Sequence, residues 1–185
     1  MPKVFPVEPT SFDKLKQLIV FIAKEGEADP RLGATKLNKI LYFADARAYL
    51  ELGKPITGAT YQHLQEGPAP RALLPARREL LEEGAIELEP VRYLTQVQQR
   101  IKVKTEPNLK VFNDAELRIV REVIQEFWLK DAKEVSDLSH EEWTWMLTED
   151  GEDIPWELAW LSSDPLTLEQ IEFGQDLWLK LNARA

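Results

Sequence analysis

Two histidines, His63 and His140, are the side chains whose charge changes near neutral pH. His140 falls in the run Leu138-Ser139-His140-Glu141-Glu142-Trp143. Adjacent residues on a helix point in different directions, so His140 with its two glutamates is not an H-E-x-x-H zinc site. A capping or packing role suits it better. Residues 148–157, TEDGEDIPWE, gather Glu149, Asp150, Glu152 and Asp153, hard oxygen ligands of the kind calcium and magnesium take. The run lacks the alternating ligand positions and closing glutamate of an EF-hand, and a solvated acidic loop accounts for it better. Metal-assisted hydrolysis at Asp150 or Asp153 is therefore the weakest reading. No G-x-x-x-x-G-K-[ST] phosphate loop, G-x-G-x-x-G fingerprint or G-x-S-x-G nucleophile elbow occurs. Without cysteine there is no thiolate metal site, disulfide or cysteine nucleophile. The residues read as those of a non-enzyme, with no catalytic, metal-binding or cofactor-binding set.

Binding chemistry is better represented. Residues 113–185 carry 18 acidic and 6 basic side chains, a net −12, whereas residues 1–112 carry 14 acidic and 17 basic, a net +3. All six tryptophans, Trp128, Trp143, Trp145, Trp156, Trp160 and Trp178, lie in the acidic part. Trp143 and Trp145 stand two apart and cannot share a helix face, which favours partial exposure of one of them. Trp156 and Trp160 stand four apart and can share one. Exposed tryptophans are favoured interface anchors, and an acidic field steers basic partners. Trp143, Trp145, Asp150, Asp153, Trp156 and Trp160 are accordingly the candidate partner-binding residues. A nucleic-acid reading rests on Arg71, Arg77, Arg78, Arg92, Arg100, Lys102, Lys104 and Lys110. Glu79, Glu82, Glu83, Glu87, Glu89 and Glu106 interrupt that footprint, so nucleic acid is the less favoured partner.

Local patterns supply the elements that hold these residues. Thr10 and Asp13 form a capping box ahead of Phe12, Leu15, Leu18, Ile19 and Ile22, and Gly26 and Pro30 close this first helix. Residues 35–53, TKLNKILYFADARAYLELG, predict a second helix capped by Thr35 and ended by Gly53. Its stripe of Leu37, Ile40, Leu41, Ala44 and Ala48, widened by Phe43, places it at the centre of the core. A third helix begins at 72–74, so that Pro75 falls in its first turn, and stops at Gly84. AIELEPV and RIKVKTE alternate as a two-stranded ribbon. Asn113 with Glu116, Asp131 with Glu134 and Ser139 with Glu142 repeat the capping signature before further helices. TLEQIEFGQDLWLKL closes the chain as a helix with Leu168, Ile171, Trp178 and Leu181 on one face. The expected fold is mainly α (α+β): a helical domain with a small two- or three-stranded β element, winged-helix-like in order, plus C-terminal helices. One domain spans residues 1–185, with a proline-rich extended segment over 1–10. No apolar run approaches the roughly 20 residues of a membrane helix, and the N-terminus lacks a signal-peptide core. The expectation is a cytoplasmic protein without a membrane partner.

The run from Lys36 to Pro70, KLNKILYFADARAYLELGKPITGATYQHLQEGPAP, resembles the SocA-like, or Panacea, antitoxin domain, also called phage-associated GepA-like. Lys36, Leu37, Tyr42, Phe43 and Ala44 stand in its K-L-x-K-L-L-Y-F-A-like helix. Gly58 and Tyr61 stand in the turn and strand that follow, and Gly67, Pro68 and Pro70 in its G-P-V-P element, with Ala69 in place of valine. Leu138, Ser139, His140 and Trp143 are similar to its L-S-H…W element. The likeness covers about residues 12–156. It implies an antitoxin of a bacterial or prophage toxin–antitoxin pair that binds a cognate protein toxin encoded by a neighbouring gene, either masking it or, as a proteolytic adaptor, delivering it to a protease. The alternative is a winged-helix-like DNA-binding transcriptional regulator. Within YQHLQEGPAP, Tyr61 and Leu64 are expected to pack on the core, Gly67 to allow the turn, and His63 to alternate outward to a surface or a partner.

Overall fold

The computed structural model describes residues 10–93 and 96–160, except for the side chains of Tyr93, Gln96 and Trp160. The N-terminal extended segment (all but Thr10) and the closing helix with Leu168, Ile171, Trp178 and Leu181 lie outside the described residues. Helix α1 (Ser11–Glu25) starts on the expected capping box. Thr10 Oγ1 accepts from the Asp13 amide at 3.1 Å, and the Asp13 carboxylate accepts from the Thr10 amide at 3.1 Å. Leu15, Leu18, Ile19 and Ile22 are then fully buried.

Helix α2 (Ala34–Leu52) packs against α1 and, later in the chain, against the helices at 114–126 and 132–140 and the turn at 156–160. Its start differs from expectation. Gly33 is the N-cap and makes no side-chain capping bond, while Thr35 is the second helical residue, so its hydroxyl does not stand at the N-cap position that accepts from the orphan amides. Its end is as expected: Gly53 adopts φ 74 and returns its amide to the Tyr49 carbonyl. Two-residue strands β1 (Tyr61–Gln62) and β2 (Ala69–Pro70) pair antiparallel, Tyr61 with Pro70. The acidic loop closes onto the same ribbon. The His63 amide donates to the Glu152 carbonyl at 2.9 Å, the Gly151 amide to the His63 carbonyl at 2.8 Å, and the Ile154 amide to the Tyr61 carbonyl at 2.9 Å.

Helix α3 (Leu73–Glu82) carries Pro75 in its first turn, where no amide donor is needed. Strands β3 (Ile86–Tyr93) and β4 (Gln96–Val103) form the second ribbon, in register from Ile86–Val103 to Tyr93–Gln96. Helix α4 (Asp114–Glu126) begins at the Asn113–Glu116 box, whose Glu116 also accepts from Lys14 Nζ at 2.9 Å. After buried Phe127 the chain reverses through Leu129 at φ 64. That is the left-handed region, which costs a side-chain-bearing residue about 1–2 kcal/mol. Helix α5 (Ala132–His140) begins at the Asp131–Glu134 box. The box expected from Ser139 and Glu142 does not form. Ser139 sits inside α5, its hydroxyl donating to the Ser136 carbonyl at 2.7 Å, and the short helix α6 (Trp143–Met146) starts after Glu142 without a side-chain cap. A 3₁₀ turn, Trp156–Trp160, follows. The fold is mainly α with two small antiparallel ribbons.

Candidate functional site

Four polar residues recur at every third position of α2: Lys36, Lys39, Tyr42 and Asp45, none more than 2 % exposed. Three residues advance about 300° around a helix of 3.6 residues per turn, so each step shifts the side chain by about 60°. The series therefore winds halfway around α2 and meets a different element at each step. Lys36 Nζ donates to Asp29 Oδ2 at 2.5 Å and to the Lys130 carbonyl at 2.6 Å, joining the α1–α2 loop to the α4–α5 turn. Lys39 Nζ donates to the Pro68 carbonyl at 3.2 Å. The Tyr42 hydroxyl bonds Thr144 of α6. Asp45 accepts from the Thr57 amide at 2.8 Å, the Thr57 hydroxyl at 2.5 Å and the Tyr61 hydroxyl at 2.9 Å. Burial pushes the Asp45 carboxyl up to about 6, against the hydrogen bonds of Thr57 and Tyr61. Burial also pushes the Tyr42 and Tyr61 phenols above their usual range.

The Lys39 ammonium is brought down to about 8 by burial, with Glu66 acting in the opposite sense. Unfolded lysine titrates near 10.5, so between about pH 8 and 10.5 the unfolded chain binds more protons and stability rises with pH. The penalty is present in full below pH 8. Lys39→Met should abolish this rise, which is worth about 1–3 kcal/mol across the window. Urea unfolding of both proteins at pH 7.5 and pH 10 measures it, and equal slopes against pH would refute it.

The two histidines, distant in sequence, both stack on Trp145. Ring centroids lie 4.3 Å from His63 and 4.2 Å from His140, with interplanar angles of 23° and 27°. Trp145 Nε1 donates to the Leu64 carbonyl at 3.3 Å, and His63 Nδ1 lies 3.1 Å from the Thr148 hydroxyl. His63 is thus 8 % exposed, not turned outward as its alternation suggests: β1 ends at Gln62, before the period can carry His63 to the surface. Burial first, then the Lys39 charge, holds the His140 imidazole below its usual range, and its Nε2 is buried without a hydrogen-bond partner. Gly67, at φ 89, lets the loop pass between Lys39 and Ser139. A Cβ there would stand 2.3 Å from Ser139 Oγ and 2.8 Å from Lys39 Nζ.

The motif residues are mostly framework. Lys36, Leu37, Tyr42, Ala44, Tyr61, Gly67, Pro68, Pro70 and Ser139 are buried. Phe43 packs edge-on to Tyr42 and Phe127, Leu138 packs on the core, and Gly58 turns at φ 65. Of the candidate partner-binding residues, Trp145 is held in the stack, and half-buried Trp156 stacks on Tyr42 and Tyr49 and meets Tyr61 edge-on. Asp153 pairs with Arg71. Trp143 is half-buried, Asp150 is exposed, and the Trp160 side chain lies outside the described residues. Two residues that sequence patterns did not single out are prominent here: Met146 and Leu147, 46 % and 53 % exposed at the end of α6. Exposed Glu141, Glu149, Asp150 and Glu152 flank them in the chain, and none is ion-paired among the described residues. Elsewhere carboxylates are largely paired, as in Glu116 with Lys14, Glu79 and Glu83 with Lys16, and Glu126 with Arg47.

Among the described residues no group of three or more His, Asp or Glu side chains is placed to hold a metal ion. No described helix is long and apolar enough to cross a membrane. A family model described as antitoxin SocA-like, Panacea domain, matches residues 37–146, more than half of the chain and the span from α2 through α6. Neither the curated proteins nor the solved structures contain a match.

Proposed function

The chain belongs to the antitoxin SocA-like, Panacea domain family, and from that premise we propose that it neutralises a cognate protein toxin by binding it directly. The observation that carries this reading is the α6 surface, where exposed Met146 and Leu147 are flanked by carboxylates that form no ion pair among the described residues and backed by the His63–Trp145–His140 stack. Apolar centre and charged rim are the composition of a protein interface, and the rim's sign suits a basic toxin surface. The toxin is the product of the neighbouring gene, met in the cytoplasm and inhibited by occlusion. Co-expression should rescue growth and yield a complex with toxin abundance unchanged. A fall in toxin abundance on co-expression would instead indicate delivery to a protease, and neither rescue nor complex would refute the reading.

Met146→Glu with Leu147→Glu should weaken the complex at least about tenfold, because both side chains belong to the apolar centre. The melting temperature should hardly move, since both are exposed. Isothermal titration together with thermal unfolding separates these effects.

DNA binding finds less support. Arg71 pairs with Asp153, Arg78 with Glu82 and Lys104 with Glu87, and Arg100 donates to the Glu27 and Asp29 carbonyls. Half of the basic residues that such a reading needs are thereby engaged within the fold.

A further inference from the structure

Leu129 is the one non-glycine residue at positive φ among the described residues, at 64°, and its side chain is 52 % exposed. Glycine takes this conformation freely and asparagine with little strain, whereas leucine has no polar atom to offset it locally. The fold uses the backbone of Leu129, whose carbonyl accepts from Arg31. Any residue supplies that carbonyl. A strained backbone that presents a large apolar side chain to solvent points to a use for the side chain outside the fold.

We propose that Leu129 is an anchor that enters an apolar pocket on the toxin, so that the contact runs from the α6 surface along α5 to the α4–α5 turn. The proposal rests on the antitoxin reading and extends it to a second, distant residue. A standard interface takes about 800 Å² and 20–30 residues from each partner, more than the four-residue α6 and its flanks provide. Helix α5 is nine residues long, roughly 14 Å at 1.5 Å per residue, so both of its ends fit beneath one partner. Between them it exposes Lys133, Glu134 and Asp137. Beside Leu129, Lys130 makes no ion pair among the described residues, which suits a carboxylate at the rim of the pocket.

Leu129→Gly and Leu129→Asn test this, because both tolerate the backbone and remove the apolar side chain. The probe is the protein encoded by the neighbouring gene, with affinity measured by titration and stability by thermal unfolding. The expected result is a melting temperature at or above that of the wild type, with affinity reduced about tenfold or more. Affinity within twofold of wild type would overturn the anchor role while leaving the antitoxin reading intact. A melting temperature several degrees lower would also overturn it, by showing that the side chain packs in its own fold. If the wild-type chain itself forms no complex, the antitoxin reading fails and the anchor role falls with it.

Discussion

Replacing Asp29 with alanine should destabilise the protein by about 3–5 kcal/mol, the usual loss when one partner of a buried ion pair is removed. The Asp29 and Lys36 side chains are only 3 % and 1 % exposed, and their 2.5 Å contact leaves the ammonium one other hydrogen-bond partner, the Lys130 carbonyl. The other Asp29 oxygen accepts from the Arg31 amide at 2.9 Å, so the substitution also frees the loop that leads into α2. Against a net stability of about 5–15 kcal/mol for a domain of this kind, that is a large fraction, and the melting temperature should fall by several degrees or more. The double variant Asp29→Leu, Lys36→Met should recover much of the loss, because no unpaired charge is then buried. Urea unfolding of the three proteins measures this, and a loss under about 1 kcal/mol for the single variant would contradict it.

Gly67→Ala should be nearly as damaging. Its φ of 89 already disfavours any side chain, and the new methyl would collide with Ser139 Oγ and Lys39 Nζ. Neither neighbour can retreat easily: Ser139 is fully buried in α5, and Lys39 is bonded to the adjacent Pro68 carbonyl. The expected loss is about 3 kcal/mol or more, against roughly 1–2 kcal/mol for Gly84→Ala. Gly84 shares the positive φ but has nothing within 4 Å, so the difference in melting temperature between the two variants isolates the collision. Equal losses would mean that φ alone constrains Gly67.

Elements written in short-range spacing were legible in the sequence. The Thr10–Asp13, Asn113–Glu116 and Asp131–Glu134 boxes, Pro75 in a first turn and Gly53 at a helix end each depend on residues within one turn of each other. The same spacing misled at Ser139–Glu142, because a helix already running through Ser139 supplies a carbonyl for its hydroxyl. His63 misled because alternation presumes a strand, and β1 is two residues long. The polar series on α2 was present as Lys36, Lys39, Tyr42 and Asp45 but lay hidden within an apolar stripe. Its one visible signal was charged residues recurring on a helix assigned to the core. The surface was legible only in composition: the acidic, tryptophan-rich half was evident, yet Trp145 and Trp156 are half-buried in aromatic stacks while Met146 and Leu147 are the more exposed.

The four-residue polar series also has a kinetic consequence. Lys36 meets the carbonyl of residue 130, and Tyr42 meets residue 144, which is 102 positions downstream. At about 5–20 residues per second, Tyr42 leaves the ribosome roughly 5–20 s before Thr144 does. Asp45 and Lys39 find Thr57, Tyr61 and the Pro68 carbonyl early in that interval, whereas Lys36 waits for the Lys130 carbonyl and Tyr42 for Thr144. Closing contacts this distant in sequence form late, because loop-closure entropy is lost before they can stabilise the fold. An interrupted synthesis that ends before Thr144 therefore leaves the central helix without its Tyr42–Thr144 contact, and the α6 surface proposed as the toxin-binding face is never made.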